Sequence, residues 1–338
     1  MGAIWVRGGD LVDGLAELVG FKLGIAVTAD ELSAAVARTG YGSMWPDDRD
    51  GIYRYRSEEY EELVAVVLAA FGDPDAQRGR QLPVLSVIRS LPKELEPVAM
   101  EVIPMVIEAL GPAIAATPGG GVLDPRPILT TVKARYGTQG ERIALQLLAE
   151  MNAQLMVSPW GRVRRREWPD LAPLRALFAT EATTSPLNAF FDQRFLDYLH
   201  ANFDDIDSIN WRRFEALTGE YLHRAGLAVE LGAGRNDDGI DVRAWLAGNP
   251  SPATPLVIVQ CKREKRKIAK TVIKALAADV QWEGAVAGLL VTTGEWSPGA
   301  RSTVNSRAYP VGEINRDSLR KWLASMRTPG SGGMFFDS

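Results

Sequence analysis

Val257-Ile258-Val259-Gln260-Cys261-Lys262 is a short apolar, β-branched run that ends on an amide, a thiol and an ammonium. It overlaps the apolar, β-branched run Leu256–Cys261, which predicts a buried strand. Side chains alternate faces along a strand, so Gln260 and Lys262 project to one side, roughly 7 Å apart, while Val257, Val259 and Cys261 face the core. A lysine on such a strand is costly unless it is paired or sits at the strand end. Upstream, Gly234-Arg-Asn-Asp-Asp-Gly-Ile-Asp241 supplies a turn and then an acid at the start of a strand predicted over Ile240–Leu246. If the two strands pair as a hairpin, Asp241 lies beside Gln260 and Lys262.

Outward from this pair the pattern continues. Asn210–Ala225 predicts a helix with Trp211, Phe214, Leu217, Tyr221 and Leu222 on one face, and Leu227–Leu231 a short strand. Helices over Lys270–Gln281, Pro298–Asn305 and Arg316–Met326 alternate with strands over Ala287–Thr293 and Ala308–Val311. That order predicts an α/β domain with a mixed sheet flanked by helices.

Asp241, Gln260 and Lys262 are the parts that phosphodiester hydrolysis needs. An oxygen-ligated divalent ion neutralises the phosphate, and a cation offsets the charge that develops as water attacks. The chain has one cysteine and two histidines, His200 and His223, too few for a structural zinc site. Any metal must therefore be oxygen-ligated, which means magnesium or manganese. The histidines read as helix-surface or core residues and Cys261 as a small core residue. The lone cysteine also excludes an internal disulfide and suits a reducing, cytoplasmic setting.

Asp238-Gly-Ile-Asp241, then Gln260-Cys-Lys262, then Leu289-Leu-Val-Thr-Thr-Gly294 resembles the catalytic domain of Mrr-type restriction endonucleases, in the PD-(D/E)xK nuclease superfamily. Trp211-Arg-Arg-Phe-Glu215 is similar to the helix that precedes this core, and Trp296-Ser-Pro-Gly-Ala300 to its post-strand helix entry. The resemblance implies a restriction-endonuclease-like fold over 206–327. It also implies a Mg2+ ion, with Mn2+ as substitute, held by Asp241, Gln260, Glu215 and the backbone carbonyl of Cys261. Lys262 would position the attacking water. Asp238 is a lesser candidate, since its commoner role is turn-making before Gly239. The implied activity is DNA cleavage in restriction or defence against foreign, including modified, DNA. One such site cuts one strand, so a homodimer or higher oligomer is expected. A non-cleaving DNA-binding module with a decayed site remains an alternative, because Gln260 stands where most of the superfamily has an acid, and an RNA-directed nuclease is another, because nothing in the sequence separates DNA from RNA.

Lys262-Arg-Glu-Lys-Arg-Lys267 and Lys270 follow the catalytic strand, so Arg263, Lys265, Arg266, Lys267 and Lys270 are candidates for phosphate contacts. Arg162-Val-Arg-Arg-Arg166 is a second candidate surface, through Arg164 and Arg165. Charge is uneven along the chain. From Ser208 to the end there are 18 Lys+Arg and 13 Asp+Glu, whereas the remainder has 20 and 29.

The N-terminal two-thirds predicts a mainly helical region. Thr28-Ala-Asp-Glu31 is a capping box, and Ser57 opens a helix to Phe71. Pro83–Leu91 and Pro92–Leu110 predict two Pro-opened helices, and Trp45–Tyr55 a hairpin. Two helices over Arg126–Tyr136 and Thr138–Gln154, followed by a hairpin over Leu155–Trp168, suggest a winged-helix-like layout. The expected divisions are 1–118 helical, 122–205 winged-helix-like, 206–327 nuclease and 328–338 a flexible tail, with Gly119–Gly121 as the first linker. Val102–Ala116 is apolar but carries Pro104, Glu108, Gly111 and Pro112, which argues against a membrane span.

Overall fold

In the computed structural model, residues 2–73, 75–76, 82–116, 122–161, 163–179, 190–233, 239–248, 254–264, 266–327 and 334–335 are described. Contacts divide the chain into two units, Met1–Pro173 with Pro329–Ser338, and Leu174–Thr328. Patterning had set boundaries at 118–122 and 205–206 instead. Gly119–Gly121, the expected linker, lies outside the described residues.

The first unit runs β1 (Ala3–Arg7), α1 (Gly8–Leu23), β2 (Ile25–Ala26), α2 (Ala29–Ala37), β3 (Ile52–Arg56), α3 (Ser57–Ala70), α4 (Pro83–Ser90), α5 (Glu96–Ala115), β4 (Val122–Leu123), α6 (Arg126–Val157) and β5 (Ala172–Pro173). Thr28 and Glu31 close the capping box that opens α2, each side chain accepting the other's backbone N–H. The expected hairpin over Trp45–Tyr55 does not form. Its return arm, β3, pairs antiparallel with β1 at the start of the chain. The expected hairpin after α6 is also missing, and α6 runs on to Val157 with a break at Gly137, where φ is 65°. The buried Lys22 ammonium donates to the carbonyls of Val163 (2.6 Å) and Gly161 (3.3 Å), so the segment is tied to α1 instead of to a second arm. Among the described residues there is no wing. The expected tail contributes Met334–Phe335, which pairs antiparallel with β4.

Helix α5 contains Pro104 and Pro112 without breaking, so the prolines do not interrupt the apolar segment as expected from sequence. Lys93–Ala115 is long and apolar enough to cross a membrane by length and composition. Its Ala99, Val102, Ile103, Val106 and Leu110 are buried in a core shared with Ile143, Ala144 and Leu147 of α6, while Met100 and Ile107 are exposed.

The second unit continues with α7 (Leu174–Ala179), α8 (Gln193–Ala201), α9 (Trp211–Arg224), β6 (Leu227–Leu231), β7 (Val242–Leu246), β8 (Val257–Lys262), α10 (Lys270–Glu283), β9 (Ala287–Thr292), α11 (Pro298–Arg307), β10 (Val311–Ile314) and α12 (Arg316–Met326). The sheet order is β10-β9-β8-β7-β6. Strands β6, β7 and β8 pair antiparallel, and β8, β9 and β10 pair parallel, giving the mixed sheet that the element order predicted. The last strand starts at Val311 and not at Ala308, because Ala308 takes a left-handed conformation (φ 49°) that ends α11. Trp211 does not join the apolar face of α9. It is half exposed, whereas Phe214 and Leu217 are buried.

Both faces of the sheet are covered, which places β8 at its centre. Ile258 and Leu290 are buried on one side with Ile273, Leu276 and Val280 of α10. A side-chain carbon at Gly288 would meet Val280 at 2.8 Å, so glycine there lets β9 lie against α10. On the other side α9 packs over β6, β7 and β8.

Candidate functional site

The antiparallel ladder between β7 and β8 stops at the pair Val242–Val259. One residue earlier, the Asp241 N–H donates to Val259 O (2.9 Å), while the Asp241 carbonyl accepts from Gly232 N–H (2.8 Å), just past β6. In a regular antiparallel strand both groups of one residue face the same neighbour. Here they face opposite neighbours, so the pleat ends at Asp241 and its side chain swings to the edge of β8. Oδ2 accepts the Cys261 N–H at 2.6 Å, taking the place of the next ladder bond. The Cys261 carbonyl leaves the strand on that same edge, since N–H and C=O of one strand residue point together.

Glu215, in the second turn of α9, meets Asp241 from the covering helix. It is buried (4% exposed) and accepts from Arg212 Nη1 at 2.8 Å, and the same Nη1 also donates to Gly232 O at 2.9 Å. Burial raises the Glu215 pKa first and the neighbouring Asp241 carboxylate adds to it. The Arg212 guanidinium opposes both, and the result is about 7. Two acids pressed together away from water resist ionising together.

Gln260 shares the face of Ile258 and is itself buried, in contrast to the open face that its polarity suggested. Its Oε1 has no hydrogen-bond partner, and an unpartnered buried amide oxygen is a standing energetic cost. Its Nε2 sits 3.0 Å from where a Cβ on Gly239 would lie, and Gly239 has φ +83°, so this turn requires glycine twice over. Lys262 is half-buried at the end of β8, where strand-end placement relieves the cost of its charge. Among the described residues no ion pair engages its ammonium. Asp241, Glu215 and the Cys261 backbone are thus brought into direct contact, with Gln260 and Lys262 on either side of Cys261 along β8.

Sequence reasoning missed two supporting residues. Arg212 holds Glu215 and the end of β6 together, and its i,i+3 spacing to Glu215 was a legible signal. Thr218, one turn further along α9, lies 3.5 Å from Cys261 Sγ. Burial pushes the Cys261 thiol well above its ordinary pKa, which fits the core role read from sequence. His223 lies edge-on to Phe190 in the last turn of α9. His200, on α8, has its pKa lowered by burial and by the Arg327 and Arg320 charges.

The donors fit a hard divalent cation: two carboxylates, a main-chain carbonyl and an amide oxygen that otherwise lacks a partner. Among the described residues no group of three or more His, Cys, Asp or Glu side chains comes together, so the set is one charge short of a three-acid centre. Of the basic candidates, Arg266, Lys267 and Lys270 are exposed between β8 and the first turn of α10. Arg263 donates to Asp207 O at 2.8 Å, and Lys265, like Asp238, lies outside the described residues. Arg164 and Arg165 belong to the other unit. Arg165 is ion-paired with the buried Asp75, and Arg164 pairs with Glu167 at 3.0 Å and lies over the Phe21 ring. Both are held by internal partners, which removes the reason for reading them as a phosphate-binding row.

The raised Glu215 pKa has a measurable consequence. Between pH 4.5 and about 7 the folded chain keeps a proton that the unfolded chain has lost, so stability falls as pH rises through this window. Glu215→Gln removes that penalty and keeps an acceptor for Arg212. In chelator-treated protein it should stabilise the second unit by about 1–2 kcal/mol at pH 8, a few degrees in Tm, and by nothing near pH 4.5. A Tm difference that does not change with pH in thermal melts would show that Glu215 is ionised throughout.

Residues 206–323 match the Mrr_cat family, described as restriction endonuclease. No curated protein matches the chain. Two solved structures align loosely. MspJI restriction endonuclease, in complex with a 27-mer oligonucleotide, aligns at 18% identity and a TM-score of 0.27, over 53% of this chain and 39% of that one. The DNA modification-dependent restriction endonuclease AspBHI aligns at 18% identity and 0.30, over 51% and 48%. The chain spans less than half the length of either. The family match covers the site and the sheet that builds it: residues 206–323 match the restriction endonuclease domain of the Mrr type.

Proposed function

We propose that the chain is a divalent-metal-dependent endonuclease that hydrolyses phosphodiester bonds in DNA, acting in restriction or anti-phage defence. In this reading the Met1–Pro173 unit selects or senses the target, and two copies cooperate to cut both strands. Two observations support this reading: the buried Oε1 of Gln260 lacks a partner, and burial together with the Asp241 carboxylate raises the Glu215 pKa to about 7. Both features are costly in the metal-free chain, and both are relieved by a cation.

Asp241, Glu215, Gln260 Oε1 and the Cys261 carbonyl would hold Mg2+, or Mn2+ in its place. When bound, that ion supplies Lewis-acid neutralisation of the phosphate. Lys262, at the strand end, orients the attacking water and offsets negative charge as it develops. Arg212 keeps Glu215 aimed at Asp241. Arg266, Lys267 and Lys270 hold the sugar–phosphate backbone through contacts that carry no sequence information.

A second reading, a DNA-binding protein whose site no longer cuts, is favoured by one observation, the neutral Gln260 where a third acid would strengthen the centre. Nicking of supercoiled plasmid separates the two. Wild type should nick with Mg2+ or Mn2+ and not with EDTA, and Lys262→Ala should lower the rate roughly 100-fold. Wild type that binds but never nicks supports the second reading. Equal nicking by Lys262→Ala removes this site. Single-stranded RNA run beside duplex DNA decides the substrate class.

A further inference from the structure

Strands β1 (Ala-Ile-Trp-Val-Arg) and β3 (Ile-Tyr-Arg-Tyr-Arg) form a two-stranded ribbon with the register Ala3–Arg56, Trp5–Arg54 and Arg7–Ile52. Paired residues of an antiparallel ladder share a face, so Trp5, Arg7, Arg54 and Arg56 stand together with Ala3 and Ile52. The opposite face, Ile4, Val6, Tyr53 and Tyr55, is half-buried or buried, and α1 and α3 pack against the ribbon. The arginine face is open, with Trp5 68% and Ile52 73% exposed.

Among the described residues, the internal contacts on this face are few and exposed. Arg54 and Arg56, two residues apart on one strand, lie roughly 7 Å from each other and repel. Among the described residues, Arg56 is the one of the three arginines with a carboxylate neighbour, Glu59, at 4.0 Å and in solvent. Arg54 lies over the Trp5 ring, 6.0 Å from its centroid. The surplus is local, because Met1–Pro173 as a whole has 18 Lys+Arg against 23 Asp+Glu. The apolar groups on this face are separated by arginines, unlike the charge-depleted centre of a protein–protein interface.

We propose that this ribbon face is a DNA-contact surface. A two-stranded ribbon fits the major groove, about 12 Å wide. Arg7, Arg54 and Arg56 pair with phosphates or base edges, and the exposed Trp5 supplies a flat apolar surface for a base or a thymine methyl. This rests on the endonuclease reading for its substrate class but assigns target holding to residues that the cleavage site does not use.

The test is binding of the full chain to a labelled duplex of about 30 base pairs in EDTA, by fluorescence anisotropy across about 50–200 mM salt. The triple variant Arg7→Gln, Arg54→Gln, Arg56→Gln should bind at least 10-fold more weakly at about 100 mM salt, with the log–log salt slope shallower by about 2–3. The corresponding triple Arg→Lys variant should keep the slope, which guards against misfolding. Trp5→Ala should weaken binding roughly 5-fold with the slope unchanged. In Mg2+, nicking by the Gln triple should have a raised KM and an unaltered kcat. Unchanged affinity and slope overturn the proposal, as does a change confined to oligomeric state in sedimentation, which would make the face a subunit interface. Ribbon-dependent binding by a wild type that never nicks would sink the endonuclease reading and leave this one standing.

Discussion

Asp241→Asn should lower plasmid nicking by about 100- to 1000-fold, equivalent to about 3–4 kcal/mol of barrier, and leave the fold intact. The asparagine amide oxygen can still accept the Cys261 N–H that Oδ2 now takes at 2.6 Å, so the junction between β7 and β8 survives. The negative charge is lost. Only Glu215 then remains as an ionisable donor beside the neutral Gln260, so Mn2+ affinity by titration calorimetry should fall at least about 10-fold. The same substitution removes the Asp241 charge, the second cause of the raised Glu215 pKa. The fall in stability with rising pH should accordingly shrink in the metal-free variant. Nicking within about threefold of wild type would dismiss Asp241 as a ligand. A lower Tm at unchanged specific activity would assign it to the strand junction alone.

Glu220→Ala should cost the second unit about 2–4 kcal/mol, on the order of 10 °C in Tm, although the residue lies away from the chemistry. Glu220 is 1% exposed. Its Oε2 accepts the backbone N–H groups of Phe190 (2.8 Å) and Phe191 (3.2 Å), and its Oε1 pairs with Arg224 at 2.7 Å. Arg224 in turn donates to Met326 O at the end of α12 and to Gln193 Oε1 on α8. One carboxylate therefore anchors the network joining α8, α9 and α12, and α9 is the helix that carries Glu215. Truncation leaves the Phe190 and Phe191 N–H groups without their acceptor and takes the carboxylate from the partly exposed Arg224, which keeps only its bonds to Met326 O and Gln193 Oε1. Calorimetry of the full chain checks this. A Tm change under about 2 °C would mean that water replaces the carboxylate and the network is dispensable.

The two units differ in how much of them could be read. In the nuclease domain, β6 and α12 fall on the predicted residues, and β8, α10 and β9 fall within two residues of them. The helix period of Phe214, Leu217 and Leu222 and the short β-branched runs are each strong local signals. In the first unit, β3 was legible as a strand, but its partner was not. The chain before Trp45 offered the nearest return arm, yet β1, some fifty residues away, takes the pairing. The hairpin expected after α6 failed for a similar reason, since a lysine on α1 claims the carbonyls at 161 and 163. Long-range hydrogen-bond partners leave no local pattern.

The amino-acid order alone determined the α/β domain and singled out Asp241, Gln260, Lys262 and Glu215 as candidates, because periodicity, residue type and motif spacing are local properties. Tertiary structure decided which of these touch, and in what state of charge. It twisted Asp241 out of the ladder onto Cys261, buried Gln260 with a bare carbonyl oxygen, and used Arg212 and low polarity to set the protonation of Glu215. It also tied Arg165 to Asp75 and left Arg7, Arg54 and Arg56 exposed. Burial and charge proximity depend on what the rest of the chain brings alongside, and no window of sequence contains that.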